Sequence, residues 1–231
     1  MKLLTIDTST SCCSVALTDG ELLLGEYLLA GGKAVSSRLF DSIEHLMADC
    51  GVAMEDLGGL GVAQGPGAFT GLRVGIAAVK GLSLATGLPI AGFSSLAMLA
   101  MNVPMSALPV CTLYDARKNE VYAGLYSTQS FLPVSVRPDA VISPESLIEW
   151  ITGPTVLVGD GACRYREQLV ELCGDLAIFA PLNSCLPRAS NGALIALSML
   201  QRGESLSPAE LLPDYLRLSE AEIARKQLQT I

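Results

Sequence analysis

Apolar and polar positions alternate in short runs over residues 2–28, in the pattern that β-strands produce. Residues 2–6, 14–17 and 21–28 are each mainly apolar and long enough for one short strand. The last two runs are separated by Asp19-Gly20, a dipeptide typical of two-residue hairpin turns. We therefore expect the chain to open with a three-stranded meander.

The pattern then changes to the spacing of an amphipathic helix, which we expect over residues 36–50. Gly51 follows the last apolar position and is expected to end the helix. The single histidine, His45, lies opposite the apolar stripe, so it is expected to face solvent. The apolar stripe itself consists of Leu39, Phe40, Ile43, Leu46, Met47 and Cys50.

A glycine-rich turn joins a strand to a long helix in the segment GVAQGPGAFTGLRVGIAAVKGLSLA, residues 61–85. The strand is expected over residues 60–63, followed after the helix by a strand at 89–91 and a helix at 95–101. The resulting order is β-β-β-α-β-α-β-α. This order predicts the α/β class, with helices packed on a mixed sheet.

The long helix carries three stripes of different character. One stripe of small residues permits the helix backbone to approach the sheet closely. A second stripe, of bulky apolar residues, is then left to contact the first helix or another chain. So broad an apolar surface on the helix predicts an interface with another chain. The alternative is that the helix is completely buried within the monomer. The stripes are Gly71, Gly75, Ala78, Gly81 and Ala85 (small); Leu72, Ile76 and Val79 (bulky); and Arg73 and Lys80 with Ala77 and Leu84.

The second half of the chain repeats the first in weaker form. LLTIDTSTSCCSVAL at residues 3–17 and VCTLYDARKNEVYAGLY at 110–126 share the order strand, Asp, polar turn, strand, with Asp115 in the place of Asp7. TVLVGDGACRY at 155–165 also resembles the earlier strand and glycine turn. We interpret this as a duplication that gives two lobes, the second eroded but with its own helix near residues 188–201.

Composition limits the classes of function. A net charge of −8 argues against a protein that binds nucleic acid unaided, and half of the residues are apolar. Seven cysteines without a C-x-x-C pair fit neither a disulfide framework nor a zinc site, so we expect a reducing cytoplasm. Residues 81–114 carry no charge, but their glycines and prolines favour helix, strand and loop over a membrane span.

Two possible phosphate sites lie at the ends of predicted strands. Asp7 and the hydroxyl groups of residues 8–11 can hold hydrated magnesium and phosphate; the alternative is a turn whose side chains satisfy their own backbone. Gly65, Gly67 and Gly71 match neither the dinucleotide fingerprint nor the P-loop. Their turn lets backbone N–H groups approach an anion, and the alternative is tight strand-to-helix packing.

Histidine-based catalysis and metal binding have little support, because no triad or metal cluster can be built from the single histidine unless distant groups converge on it. Asp115, Arg117 and Glu120 share one predicted hairpin, where they form either a surface ion-pair group or a contact with a partner.

With these residues considered, the chain resembles the TsaB (YeaZ) family, the dimerisation subunit of the bacterial complex that makes threonylcarbamoyladenosine in tRNA. The resemblance runs nearly end to end and is specific in combination. It rests on LTIDTST...CSVAL, GPGAFTGLRVGI followed by KGLSLATGLPIAG, YDARKNEVYAGLY, VGDGA, and PDYLR at residues 213–217.

The resemblance implies an actin/Hsp70-like ATPase (ASKHA) fold of two RNase H-like lobes with mixed sheets, the second reduced. We expect an N-terminal lobe at 1–103, a degenerate C-terminal lobe at 104–206, and a tail at 207–231 that packs back on the first lobe. Family members usually have His-Ser at the start of the first helix, where this chain has Val35-Ser36.

The resemblance also implies a division of labour between subunits. Catalysis, ATP and metal belong to a paralogous partner, TsaD, while this subunit needs no cofactor or metal and has no catalytic residues. It pairs with TsaD or with itself through helices 36–50 and 71–86, joins the TsaE ATPase in the full complex, and meets tRNA only there. The interface residues expected are Leu39, Ile43, Leu72, Arg73, Ile76, Val79 and Lys80.

Three functions follow as hypotheses. The first is a non-catalytic cytoplasmic scaffold, in which Ile76→Asp or Val79→Asp weakens pairing. The second is an ATP-binding ATPase or kinase that uses Asp7 and Asp115, and a peptidase is the least favoured. The vestigial nucleotide contacts expected are Asp7, Thr8, Gly65, Gly67, Asp115, Arg117 and Glu120.

Overall fold

A computed structural model describes residues 1–31 and 38–217 and contains two five-stranded mixed sheets. The first sheet has the order β3-β2-β1-β4-β5, antiparallel through β1, β2 and β3 and parallel from β1 to β4 and β5. The opening meander and its hairpin at Gly20 (φ +59°) are confirmed. The strands are β1 Lys2–Asp7, β2 Cys12–Asp19, β3 Leu22–Ala30, β4 Leu57–Gly65 and β5 Ile90–Ser94.

The second sheet has the same connectivity, with the order β10-β9-β6-β7-β8 and the same pattern of antiparallel and parallel pairs. Because each strand has its counterpart in the first sheet, the duplication predicted from sequence is confirmed. The strands are β6 Val110–Arg117, β7 Glu120–Ser127, β8 Val134–Ile142, β9 Thr155–Val158 and β10 Ala177–Phe179.

Six α-helices lie in the described residues. α1 ends at Gly51, which adopts the left-handed conformation (φ +62°) and closes the helix with N–H bonds to Met47 and Ala48, as expected. The predicted start at Ser36, and Val35, lie outside the described residues. The helices are α1 Leu39–Cys50, α2 Phe69–Thr86, α3 Ser95–Ala100, α4 Asp160–Arg164, α5 Arg166–Cys173 and α6 Ala189–Gln201.

Helices cover both faces of the first sheet. α1 and α2 share one core with Leu4 and Ile6 of β1, while α6 packs with Leu3 on the opposite face. Alternate residues of β1 therefore point to different helices, as the period of a strand requires.

The position of α6 differs from expectation. The sequence predicted that this helix belongs to the second lobe, but it packs on the strands of the first sheet. Its first turn is fixed there, because the Ser14 hydroxyl oxygen accepts a hydrogen bond from the Ala189 N–H at 2.8 Å. The third helix of the first repeat, α3, contacts β6 and β7 of the second sheet in return. The apolar pattern predicted that both helices are buried, but not against which sheet.

Four further findings bear on the sequence analysis. All seven cysteines are free. His45 is exposed on α1, as expected. Phe40, which was placed on the buried stripe, is 60% exposed. Among the described residues, no helix combines the length and apolar character needed to span a membrane.

Candidate functional site

An interlobe cleft of about 610 Å³ lies where the two halves of the chain meet. The first lobe contributes the β1–β2 turn and the loop that enters α2, and the second contributes the β6–β7 hairpin and the start of α4. The tail adds Tyr215 and Arg217. The predicted residues Gly67, Asp115 and Arg117 line this cleft, whereas Asp7, Thr8, Gly65 and Glu120 do not.

Asp7 is fully buried at the end of β1. Its Oδ1 accepts a hydrogen bond from the Ser9 N–H at 3.1 Å, and its Oδ2 has no hydrogen-bond partner among the described residues. Burial raises the pKa of this carboxyl group from 3.8 to about 6, although the Ser9 hydrogen bonds oppose the shift. The neighbouring Thr8 is also buried, and its hydroxyl donates to the Gly71 carbonyl oxygen at 2.7 Å. These contacts favour the turn alternative over a phosphate site.

The raised pKa of Asp7 predicts a pH-dependent stability. Because the folded state holds the proton of Asp7 more tightly than the unfolded state, the contribution of Asp7 to stability is fully present below about pH 4 and is lost as pH rises through about 6. This shift corresponds to a loss of up to about 3 kcal/mol. Asp7→Asn keeps an amide oxygen that can accept the Ser9 N–H bond but does not ionise, so it is expected to remove this pH-dependent loss of stability. Urea unfolding at pH 5 and pH 8 tests this; an equal pH dependence in both proteins contradicts it.

The glycines of the loop allow backbones to approach closely. A Cβ atom at Gly67 would lie 2.2 Å from the Ser9 carbonyl oxygen, and one at Gly71 would lie 2.1 Å from that of Thr8. The Ser9 oxygen also accepts a hydrogen bond from the Ala68 N–H at 2.6 Å. Gly65, at φ +136°, faces the Asp214 carbonyl oxygen. Close backbone packing, which was the alternative to an anion site, therefore accounts for Gly65, Gly67 and Gly71.

The β6–β7 hairpin presents charge to the cleft. Asp115 pairs with Arg164 at 3.3 Å, and its Oδ1 accepts a hydrogen bond from the Arg117 N–H at 2.9 Å. Its own N–H donates to Oδ1 of Asp160 at 3.1 Å. Glu120 pairs with Arg217 at 3.0 Å. Asp115 and Glu120 thus form ion pairs with Arg164 and Arg217 from elsewhere in the chain, whereas Arg117 contributes its backbone N–H.

Sequence reasoning missed Asp160, Tyr215 and Arg217 as cleft residues. The VGDGA turn, which resembles the first glycine loop, contains Asp160 and offered a signal for it. PDYLR was noticed only as part of a family resemblance, because nothing local shows that Tyr215 and Arg217 return to the cleft.

The expected interface needs correction. Leu39, Ile43, Leu72, Ile76 and Val79 are at most 4% exposed within the isolated chain, so their side chains are not available to another protein. Leu39, Ile43, Ile76 and Val79 belong to the core between α1, α2 and the first sheet. The alternative of burial within the monomer is therefore the right one for the bulky stripe.

The outward surface of α2 is instead its third stripe together with Gly81, which the sequence analysis placed on the small stripe. Arg73, Ala77, Gly81 and Leu84 are exposed and Lys80 is partly exposed; together we call them the exposed α2 face. Leu84 is 75% exposed, and a Cβ atom at Gly81 would meet nothing within 4 Å. This face is mainly small and apolar and is edged by two cations.

The chemistry available to the described residues is limited. They contain no group of three or more His, Cys, Asp or Glu side chains arranged to hold a metal ion. His45 lies on α1, away from the residues that line the cleft. The site therefore offers carboxylates, hydroxyls and cations.

The chain is similar in sequence to proteins of tRNA threonylcarbamoyladenosine biosynthesis. The model of the TsaD family, described as tRNA N6-adenosine threonylcarbamoyltransferase, matches residues 31–225. The tRNA threonylcarbamoyladenosine biosynthesis protein TsaB of Bacillus subtilis strain 168 is 31% identical over 225 residues, which are 96% of each chain. The TsaB protein of Escherichia coli K12 is 29% identical over 94% of this chain and 95% of its own.

Solved structures show the same relationship. YeaZ from Pseudomonas aeruginosa superposes with a TM-score of 0.81 at 32% identity, over 93% of this chain and 99% of its own. A ROK hexokinase from Thermus thermophilus has a TM-score of 0.50 at 15% identity, over 88% of this chain and 100% of its own. The second likeness shows the fold alone. The actin/Hsp70-like ATPase fold expected from the sequence is confirmed.

Proposed function

The chain belongs to the TsaB (YeaZ) family, within the wider group that the TsaD family model describes, and from this premise we propose a scaffold function. The protein acts as a non-catalytic subunit that binds and stabilises a TsaD-family catalytic subunit during threonylcarbamoyl transfer to tRNA adenosine. The exposed α2 face is the observation that carries this proposal.

The composition of the exposed α2 face suits a protein partner. Leu84 leaves most of its apolar surface in water, which favours burial against another chain. Gly81 and Ala77 permit the partner's backbone to approach closely, since neither has a bulky side chain. Arg73 and Lys80 at its edge favour an acidic rim on the partner. On α1, Phe40 is a second exposed apolar side chain of the same lobe.

The remaining parts of the proposal concern cofactors and other partners. ATP and metal reside in the TsaD-family subunit, and this subunit carries neither. The TsaE ATPase joins the full complex, and without TsaD the exposed α2 face supports a homodimer. tRNA is bound through the complex, because a net charge of −8 opposes direct binding. The setting is cytoplasmic.

Sedimentation of the chain with its cognate TsaD-family subunit at micromolar concentrations tests the proposal. We expect a 1:1 complex, and we expect Leu84→Asp to weaken it by at least about tenfold. The matched control is Leu182→Asp, because Leu182 is 72% exposed but lies outside α1 and α2. Failure of the wild-type proteins to associate contradicts the scaffold function. Equal affinity for both variants places the interface elsewhere.

The enzyme alternative requires Asp7 and Asp115 to reach one phosphate. Asp7 is fully buried and does not line the cleft, whereas Asp115 does. This separation is our reason for not proposing an ATPase or kinase. Tight binding of magnesium-ATP to the isolated chain, measured by calorimetry and lost in Asp7→Ala, would support the enzyme alternative instead.

A further inference from the structure

A segment near the end of the described chain, residues 211–217, returns to the first lobe, and we call it the strap. Leu211 is completely buried in the core beneath α1 and α2. Gln64, near the end of β4, makes two bonds to the strap. Its side-chain Nε2 donates to the Leu212 carbonyl oxygen, and its own carbonyl oxygen accepts from the Asp214 N–H, both at 2.8 Å. The backbone of the strap is therefore fixed beside β4.

Tyr215 anchors the strap to the first turns of α2. Its ring stacks on Phe69 with a centroid separation of 4.6 Å and an interplanar angle of 21°. Arg73 completes the cluster, because its Nε donates to the Tyr215 hydroxyl oxygen at 2.8 Å and its guanidinium lies 3.8 Å from the Phe69 ring centroid. The ring stack and the hydrogen bond thus hold Tyr215, and the cation–π contact between Arg73 and Phe69 joins its two partners.

Arg217, two residues later, contacts the other lobe. Its Nη1 donates to the Ala116 carbonyl oxygen at 3.1 Å and pairs with Oε2 of Glu120 at 3.0 Å. The Arg217 side chain is 24% exposed, so this ion pair is less screened by water than a fully exposed one. Ala116 and Glu120 belong to the two strands of the β6–β7 hairpin.

We propose that the strap is an interlobe clamp, which fixes the separation of the lobes across the cleft and couples the start of α2 to the β6–β7 hairpin. Tyr215 and Arg217 both line the cleft, and they bind opposite lobes although only one residue separates them. A segment this short cannot let the lobes separate without losing one anchor, since each residue spans at most about 3.6 Å. This inference does not depend on the scaffold function.

Hydrogen exchange of the full chain, followed by mass spectrometry, tests the clamp. Tyr215→Ala removes the anchor on the first lobe, yet it is expected to speed exchange in residues 114–122 of the second lobe at least about fivefold. Arg217→Ala removes the anchor on the second lobe and is expected to speed exchange in residues 66–73 of the first. The matched control is Arg202→Ala, which breaks an exposed pair with Glu204 at 2.7 Å and is expected to change neither segment.

Faster hydrogen exchange in the lobe that the substituted side chain does not touch distinguishes a clamp from two local contacts. If each variant changes exchange only in the lobe that its own side chain touches, the clamp is refuted. Where Tyr215→Ala fails to fold, Tyr215→Phe takes its place, because it keeps the ring stack and loses the bond from Arg73. The clamp then predicts a smaller rise in the same second-lobe segment, and no rise there overturns the proposal.

Discussion

Gly71→Ala is expected to destabilise the isolated chain by about 3 kcal/mol or more, because its new methyl group would lie 2.1 Å from the Thr8 carbonyl oxygen. That oxygen belongs to the backbone, so relief requires α2 to move away from the β1–β2 turn. For a chain of this length, the loss lowers the melting temperature by roughly 6–12 °C. Thermal unfolding monitored by circular dichroism measures it.

Gly81→Ala in the same helix is the matched control. No atom lies within 4 Å of the added methyl group, and Gly81 has an ordinary helical position in α2. Alanine at such a site is expected to raise the stability by about 0.5–1 kcal/mol, since glycine loses more conformational freedom in a helix. Similar losses in both variants contradict the close-packing account of the loop glycines.

Ile76→Asp is expected to prevent stable folding. Ile76 is 4% exposed in the core between α2 and the first sheet, so the substitution removes apolar packing and places an unpaired carboxylate there. The cost of about 5 kcal/mol or more is comparable to the whole stability of a typical domain. We expect little soluble protein and no cooperative unfolding transition. The sequence analysis expected this substitution to weaken pairing, and the burial of Ile76 inside the isolated chain makes loss of folding the expected result instead.

Leu84→Asp, two turns further along α2, is the contrasting change. Because Leu84 is 75% exposed, the new carboxylate stays in water and the unfolding free energy is expected to change by less than about 0.5 kcal/mol. Circular dichroism and urea unfolding of the two variants compare these outcomes. A folded Ile76→Asp protein, or an unfolded Leu84→Asp protein, contradicts the burial of the stripes.

The fold was largely predictable because its signals are local. The turn at Asp19-Gly20 and the stop at Gly51 depend on neighbouring residues, and both predictions were confirmed, as was the repeated strand order predicted from two similar segments. The packing of α6 on the first sheet, and the contacts of α3 with the second sheet as well as its own, were not predictable. An apolar stripe shows that a helix is buried, but not which of two sheets covers it.

The faces of α2 show a second limit of sequence reasoning. This helix is apolar or small on nearly all sides, so its periodicity does not choose between the stripe of Ile76 and the stripe of Leu84. The sheet beneath α2 makes the choice, and that contact involves β4 and β1.

Contacts across long sequence separations set the remaining limit. Tyr215 meets Arg73 across 142 residues, and Arg217 meets Ala116 across 101 residues. No local pattern signals such contacts. The cleft residues on the strap were therefore missed, although the loop and hairpin residues Gly67, Asp115 and Arg117 were found.

The most direct test of the scaffold account is the rate of threonylcarbamoyl transfer to tRNA in a reconstituted system that contains the TsaD-family partner. Leu84→Asp disturbs the exposed α2 face, whereas Asp7→Asn disturbs the carboxylate that a nucleotide-using enzyme would need. We predict that Leu84→Asp lowers the rate at least about tenfold at limiting subunit concentration, and that Asp7→Asn changes it by less than about twofold. The reverse pattern would show that this chain takes part in the chemistry and would contradict the account.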